Sequence, residues 1–202
     1  MFFSESTVID RFSTKFSEAR ETYDTLNRLA TGLESFWPER WVVVGGGVRD
    51  LFFGDEPNDF DILVDAEQES LERVLGTFET SRTQFGGFKV HGNISIDIWA
   101  IESMWTVKEG HVKYKGLDTW PESALFNIDA CMVNPTYEFG DAAKFCKAFS
   151  ERTLSLNSHM YPDKVSAAAR AFRLSHKYNL ERDPSIQKLI EEAQAGQRME
   201  AR

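Results

Sequence analysis

Residues 42–65 read Val-Val-Val-Gly-Gly-Gly-Val-Arg-Asp-Leu-Phe-Phe-Gly-Asp-Glu-Pro-Asn-Asp-Phe-Asp-Ile-Leu-Val-Asp, and no other stretch restricts the fold as much. A β-branched run feeds a triple glycine, a short amphipathic segment follows, and two aspartates one residue apart open a second apolar run. The pattern predicts strand, turn, short helix, breaker-rich turn and strand: Trp41 to Val44, Val48 to Phe53, Gly54 to Asn58 and Phe60 to Val64. On a strand, side chains alternate between faces. Asp59 and Asp61 therefore share one face, while Phe60, Ile62 and Val64 anchor the other.

Two carboxylates so close repel unless a cation lies between them. Mg²⁺ is held by one or two carboxylates together with substrate phosphates. In Ile94-Ser-Ile-Asp-Ile-Trp99 the isoleucines define one face and leave Asp97 on the other. A neighbouring strand carrying Asp97 completes a cradle of three carboxylates, Asp59, Asp61 and Asp97. Such a cradle suits two Mg²⁺ ions ~4 Å apart, the arrangement that stabilises attacking and leaving oxygens of an in-line displacement. Asp97 is then the candidate metal ligand and general base beside an attacking hydroxyl. The competing reading makes Asp59 a turn residue after Pro57-Asn58, in a chain rich in acids.

Glycines after a strand also open dinucleotide-binding units. Gly45 and Gly47 fit Gly-x-Gly, and Asp65 lies twenty residues beyond Gly45. Asp50, however, occupies the third glycine position, the helix before Gly54 is short for a crossover, and Asp59 and Asp61 are left without a role. A Walker A loop is excluded because no Gly-Lys-Ser/Thr follows.

The segment Gly45-Gly-Gly-Val-Arg-Asp50, then Gly54, then Asp59-Phe-Asp61 closely resembles the head-domain signature of class II CCA-adding enzymes and bacterial poly(A) polymerases, a branch of the polymerase β-like nucleotidyltransferase superfamily. Thr83-Gln-Phe-Gly-Gly-Phe-Lys-Val90 and Ile96-Asp-Ile98 resemble the family's next hairpin, which carries a third acid. The resemblance implies an α/β (α+β) core with a small mixed sheet and helices on one side, an N-terminal helical segment and a C-terminal helical neck. It implies a Mg²⁺-nucleotide held by the aspartates and phosphates near Gly45 and Gly46. Arg49 and Asp50 match motif positions; the arginine either pairs with triphosphate oxygens or braces the loop against Asp50.

The resemblance covers roughly residues 40–180 and weakens downstream. Ala124-Leu-Phe-Asn-Ile-Asp-Ala130 is similar to a family segment, Arg-Arg-Asp-Phe-Thr-Ile-Asn-Ala, without its Arg-Arg-Asp part. Asp163 to Leu174 resembles the neck helix, with Arg170 and Arg173 at the two later arginine positions. Lys164 and Ala167 replace the Asp and Arg that read the incoming base in CCA-adding enzymes, and they cannot supply the same donors and acceptors. Arg170, Arg173 and Lys177 form one helical stripe, read first as a solvated face and second as a phosphate-facing one. The four histidines share no spacing, and Trp99 and Trp105 read as core or rim aromatics, with base stacking as the alternative.

The remainder of the chain predicts amphipathic helices over 8–36, a helix from Glu67 to Gly76, a hairpin of Phe88 to His91 and Ile94 to Ala100, and weaker strands at His111 to Tyr114 and Ala130 to Val133. An alanine-rich helix over Val165 to Tyr178 precedes another that reaches about Ala195. A soft boundary near residue 150 separates a core (1–150) from a neck-like appendage (151–202). Net charge is −9, made of −2 in residues 1–37, −9 in 38–162 and +2 in 163–202. An acidic body opposes a broad nucleic-acid footprint. No apolar run approaches the ~20 residues of a membrane span, the start lacks a signal-peptide pattern, and two cysteines point to a reducing cytoplasm.

The expected activity is Mg²⁺-dependent transfer of a nucleoside monophosphate from an NTP to a hydroxyl acceptor with pyrophosphate release. An RNA or tRNA 3′ end is the family's acceptor. A small molecule or a protein acceptor, and a non-catalytic nucleotide-binding module, are the rival readings. Catalysis and metal binding fall to Asp59, Asp61 and Asp97, nucleotide binding to Gly45, Gly46, Arg49 and Asp50.

Overall fold

A computed structural model describes residues 3–160 and 163–200, without the side chains of 197–200. The elements run α1 (Glu5–Thr22), α2 (Asp24–Phe36), β1 (Trp41–Val44), α3 (Gly46–Phe53), β2 (Asp59–Val64), α4 (Gln68–Leu75), β3 (Thr80–Arg82), β4 (Phe88–Val90) and β5 (Ser95–Ala100). Short α5 (Trp105–Lys108) and α6 (Trp120–Ser123) follow, with 3₁₀ turns at Ile101–Ser103 and Asn127–Asp129. Then come β6 (Met132–Asn134), β7 (Phe139–Asp141), α7 (Ala143–Glu151), β8 (Thr153–Leu154), α8 (Lys164–Lys177), β9 (Glu181–Arg182) and α9 (Pro184–Glu200).

Seven strands form a mixed sheet in the order β3-β4-β5-β2-β1-β6-β7. Only β2 and β5 are parallel neighbours; the other pairs are antiparallel. The parallel pairing brings Asp59-Phe-Asp61 alongside Ser95-Ile-Asp97. Strand alternation then divides the core. Phe60, Ile62, Val64, Ile96 and Ile98 join Phe12, Phe16, Leu26 and Leu29 of α1 and α2 in the main cluster. Val42, Val44, Leu63 and Met132 face the opposite side, where Ile101, Met104, Trp99 and Trp120 cover them. The main helical layer thus occupies one face, and the acids belong to the other.

The parallel pair β8–β9 brackets α8, which packs on α9 through Ala167, Ala168, Leu189 and Ala193. Asp163 caps α8, its Oδ1 accepting from the Val165 N–H at 2.9 Å. Such a cap satisfies one of the unpaired donors of the first turn. The strand expected at His111 to Tyr114 is absent; those residues lie in a bend and loop. Tyr114 is exposed, with its hydroxyl on Asp65, so no alternating face is buried there. Short elements that periodicity did not mark, β3, α5, α6, β7, α7, β8 and β9, are present. Among the described residues no helix is long and apolar enough to cross a membrane.

Candidate nucleotidyl-transfer site

Asp61 and Asp97 are register partners across the parallel strands, and Asp59 pairs with Ser95 one step earlier. All three carboxylates therefore lie on one sheet face, as their spacing requires. Burial, then Asp59, pushes the Asp61 carboxyl up to about 7, with Arg170 acting in the opposite direction. Asp59 is also raised, by burial and then by Asp97. Lys89 on β4 stands opposite Asp97, its Nζ 3.2 Å from Asp97 Oδ1. That oxygen is nevertheless buried without a hydrogen bond.

The glycine turn lies beside these acids. Gly45 has φ +63°, and its N–H donates to the Cys131 carbonyl at 3.1 Å. A Cβ there would stand 3.3 Å from Trp120 Cζ2 and 3.7 Å from Asp61 Oδ2, so a side chain is strained chiefly by the positive φ, with a tight contact to the indole besides. Gly45 is the N-cap of α3 and no side chain caps that helix. The positive end of α3 is thus open to an anion.

Of its two expected uses, Arg49 makes the bracing contacts, and it also lines the cleft beside the acids. It is 5% exposed and forms ion pairs with Asp129 and, at 3.2 Å, with Asp50. Burial works against its charge, yet Asp129 and Asp50 overcome that and raise its pKa. Tyr178 donates to Asp50 at 2.6 Å, and Lys177 reaches Asp50 at 3.1 Å and Asp55 at 2.9 Å. Burial tends to raise Asp50, but Arg49, Tyr178 and Lys177 together hold it below its ordinary value. Asp50, expected to touch nucleotide, ties α3 to α8 and also lines the cleft that holds the three acids.

Asp129 was not among the expected site residues. It is 4% exposed and accepts from Arg49 on one oxygen and from Arg170 at 2.9 Å on the other. Its carbonyl accepts from Trp120 Nε1 at 3.1 Å. The available signal was its place in Phe126-Asn-Ile-Asp-Ala130, where the resembled family segment has Asn.

The basic stripe of α8 is exposed, as the solvated-face reading expects, and it also borders the cleft. Arg170, Arg173 and Lys177 line this cleft of about 510 Å³ together with Gly46, Asp59, Asp61 and Asp97. Arg173 forms no ion pair or hydrogen bond among the described residues and is exposed toward that cleft. One turn earlier the same helix turns to α9: Ala167 is buried against Leu189 and Ala193, and Lys164 pairs with Glu192 at 2.6 Å.

For Mg²⁺ the donor set is suitable and incomplete. Three oxygen-bearing side chains share a face, and burial together with like charge opposes ionisation of Asp59 and Asp61. Yet among the described residues no group of three or more His, Cys, Asp or Glu is gathered tightly enough to hold a metal unaided. The closed three-carboxylate cradle is therefore corrected to a half-shell, which triphosphate oxygens would complete.

The sheet, its acidic face and the flanking helices define the class: a polymerase-type α/β nucleotidyltransferase fold. The segment 41–104 matches the family model of the poly A polymerase head domain. No curated protein matches the chain by sequence. Among solved structures, the Thermotoga maritima CCA-adding enzyme complexed with tRNA-CCA aligns with TM-score 0.59 and 19% identity, over 83% of this chain and 41% of that one. A CCA-adding enzyme with CTP aligns with TM-score 0.60 and 18% identity, over 88% and 44%. A tRNA-processing enzyme with CTP aligns with TM-score 0.57 and 21% identity, over 81% and 45%. These likenesses establish the fold, and the chain spans less than half the length of the proteins it matches.

Proposed function

We propose that this chain transfers a nucleoside monophosphate from a Mg²⁺-bound NTP to the 3′ hydroxyl of an RNA, releasing pyrophosphate. One observation carries the reading: Asp59, Asp61 and Asp97 share a face of two parallel strands, across a cleft from Arg170, Arg173 and Lys177. Carboxylates that need a cation thus oppose cations that need an anion, and a metal-bound triphosphate satisfies both. The solved relatives with bound CTP and tRNA support NTP as donor and RNA as acceptor.

Asp59, Asp61 and Asp97 would hold the metal, which supplies charge neutralisation on the attacking and leaving oxygens. Gly45 and Gly46 admit the phosphates to the positive end of α3. The acceptor oxygen attacks the α-phosphorus, the bond to the bridging oxygen breaks, and pyrophosphate takes that electron pair. Asp97 receives the acceptor proton. Arg173, with Arg170 and Lys177, offsets the charge of the departing pyrophosphate. Arg49 and Asp50 position α3 and border the cleft that would take the triphosphate. Most of the rate enhancement in such a site is positioning and electrostatics.

Selection of C and A by α8 is not part of this proposal, because Lys164 and Ala167 face α9. In this reading residues 151–202 serve as a neck over the 1–150 core, and the free Cys131 and Cys146 suit a reducing cytoplasm. The test is to incubate the protein with Mg²⁺, each labelled NTP, and total RNA, candidate proteins or small hydroxyl compounds, following pyrophosphate release. RNA-dependent release that Asp59→Asn and Asp61→Asn abolish is expected. Release that survives both substitutions refutes the site, and NTP binding without turnover on any acceptor refutes the activity.

A further inference from the structure

Beside the carboxylate cleft lies a second, smaller cavity of about 180 Å³. Asp61, Phe85 and Trp99 belong to both. Passing along β2 from Asp59 through Asp61 to Leu63, the wall changes from cleft to cavity, so strand direction orders the two. Among the described residues no lysine or arginine lines the cavity. Three tryptophans, Trp99, Trp105 and Trp120, line it with Phe85 and Met104. Four of the cavity's nine lining residues, Trp105, Thr106, Trp120 and Ser123, lie past the segment matched to the head-domain family.

The indoles are held rather than loosely packed. Trp120 donates to the Asp129 carbonyl at 3.1 Å, and its ring crowds Gly45. Trp99 presses on Gly87, where a Cβ would meet the indole at 2.3 Å. Trp105 packs on His111 with ring centroids 4.9 Å apart. Two hydroxyls, Thr106 and Ser123, sit 3.3 Å apart in the cavity wall. Aromatic walls with a few placed polar groups are what a flat ring requires. The volume falls below the roughly 300–1,000 Å³ of sites for drug-sized ligands and suits one ring system.

We propose that this cavity binds the nucleobase of the acceptor's terminal nucleotide, a proposal that rests on the nucleotidyl-transfer reading. In-line displacement puts nucleophile and leaving group on opposite sides of the reacting phosphorus. The cations that suit pyrophosphate all line the cleft. The acceptor must then approach from the far side of the carboxylates, and that side is the tryptophan cavity. A neutral ring is compatible with Asp61 at its mouth, whereas a phosphate is not. The acceptor's terminal hydroxyl is thereby delivered toward Asp61 and Asp97 with its base stacked on fixed indoles.

The test uses the full chain, a labelled short RNA oligomer and a non-hydrolysable NTP with Mg²⁺. Kd values are measured separately by equilibrium dialysis, together with tryptophan fluorescence. Trp105→Ala, at a partly exposed position outside the sheet, is expected to weaken the RNA oligomer about tenfold, the scale of losing one stacked base. The NTP Kd should stay within twofold. Trp105→Phe should restore most of the RNA affinity. Loss of NTP affinity instead would mean that the cavity takes the incoming base, and this overturns the proposal. Unchanged RNA affinity, or no RNA binding by wild type, also overturns it. Quenching and Trp105-dependent RNA binding without any nucleotidyl transfer would leave the cavity assignment standing while the activity reading fails.

Discussion

Asp61 is a carboxylic acid whose ionisation the fold strongly opposes, and this makes the site measurable without substrate. Burial and the neighbouring Asp59 raise its carboxyl from 3.8 to about 7. The stability associated with the protonated side chain is fully present below 3.8 and is lost as pH rises through about 7. Over roughly three pH units, at ~1.36 kcal/mol each, the ionised carboxylate destabilises the fold by on the order of 4 kcal/mol. Asp61→Asn keeps the shape and removes the titration. In metal-free buffer it should match wild type near about pH 4 and exceed it by up to ~4 kcal/mol near about pH 8, on the order of 10 °C in Tm.

Urea denaturation followed by tryptophan fluorescence across that range, with a chelator present, measures the difference directly. A gap that does not change with pH, or a variant less stable than wild type at the alkaline end, refutes the reasoning. Saturating Mg²⁺ with a non-hydrolysable NTP should close the gap from the wild-type side, since only the carboxylate form gains the ligand's stabilisation. The same substitution should abolish transfer, so that stability and activity move in opposite directions.

Asp129→Ala should lower unfolding stability by ~3–5 kcal/mol in urea, because Arg49 is left buried with half its pairing, and Asp129→Asn should lose less. Gly45→Ala should destabilise by ~1–3 kcal/mol from its positive φ alone, and isothermal titration should show weaker NTP binding because the new methyl stands at the phosphate approach. Arg173→Ala should raise the KM for NTP about tenfold, the equivalent of ~1.4 kcal/mol, while thermal melts shift little, because the side chain has no internal partner among the described residues.

What could be read from the sequence was whatever depends on neighbours a few residues apart. Alternation placed Asp59, Asp61 and Asp97 on one face because a strand's period is two, and the structure keeps that phase across the parallel pair. The triple glycine announced a turn only glycine can make, and Gly45 adopts it. The failures share a different cause. The strand expected at His111 to Tyr114 had local β-propensity but no neighbouring strand with which to pair, and propensity without a partner decides little. The stripe on α8 was periodic in either reading. Only the docking of α8 against Asp50 and Asp129 sets what the stripe borders, and no local signal encodes that docking.

Asp129 shows why the charge network was the hardest part to foresee. Its partners lie 80 residues upstream and 41 downstream, and nothing within Asn127-Ile-Asp129 marks it as more than a turn acid. In the folded chain it is the counter-charge for an arginine with no exit to solvent, and it shares its second oxygen with Arg170 at the cleft wall. A neutral residue at 129 would leave Arg49 dependent on Asp50 alone, while Asp50 is already divided among Arg49, Tyr178 and Lys177. The carboxylate at 129 therefore ties the glycine helix to the neck helix through charge. It follows that the position of Arg170 at the site depends on a residue that touches no substrate.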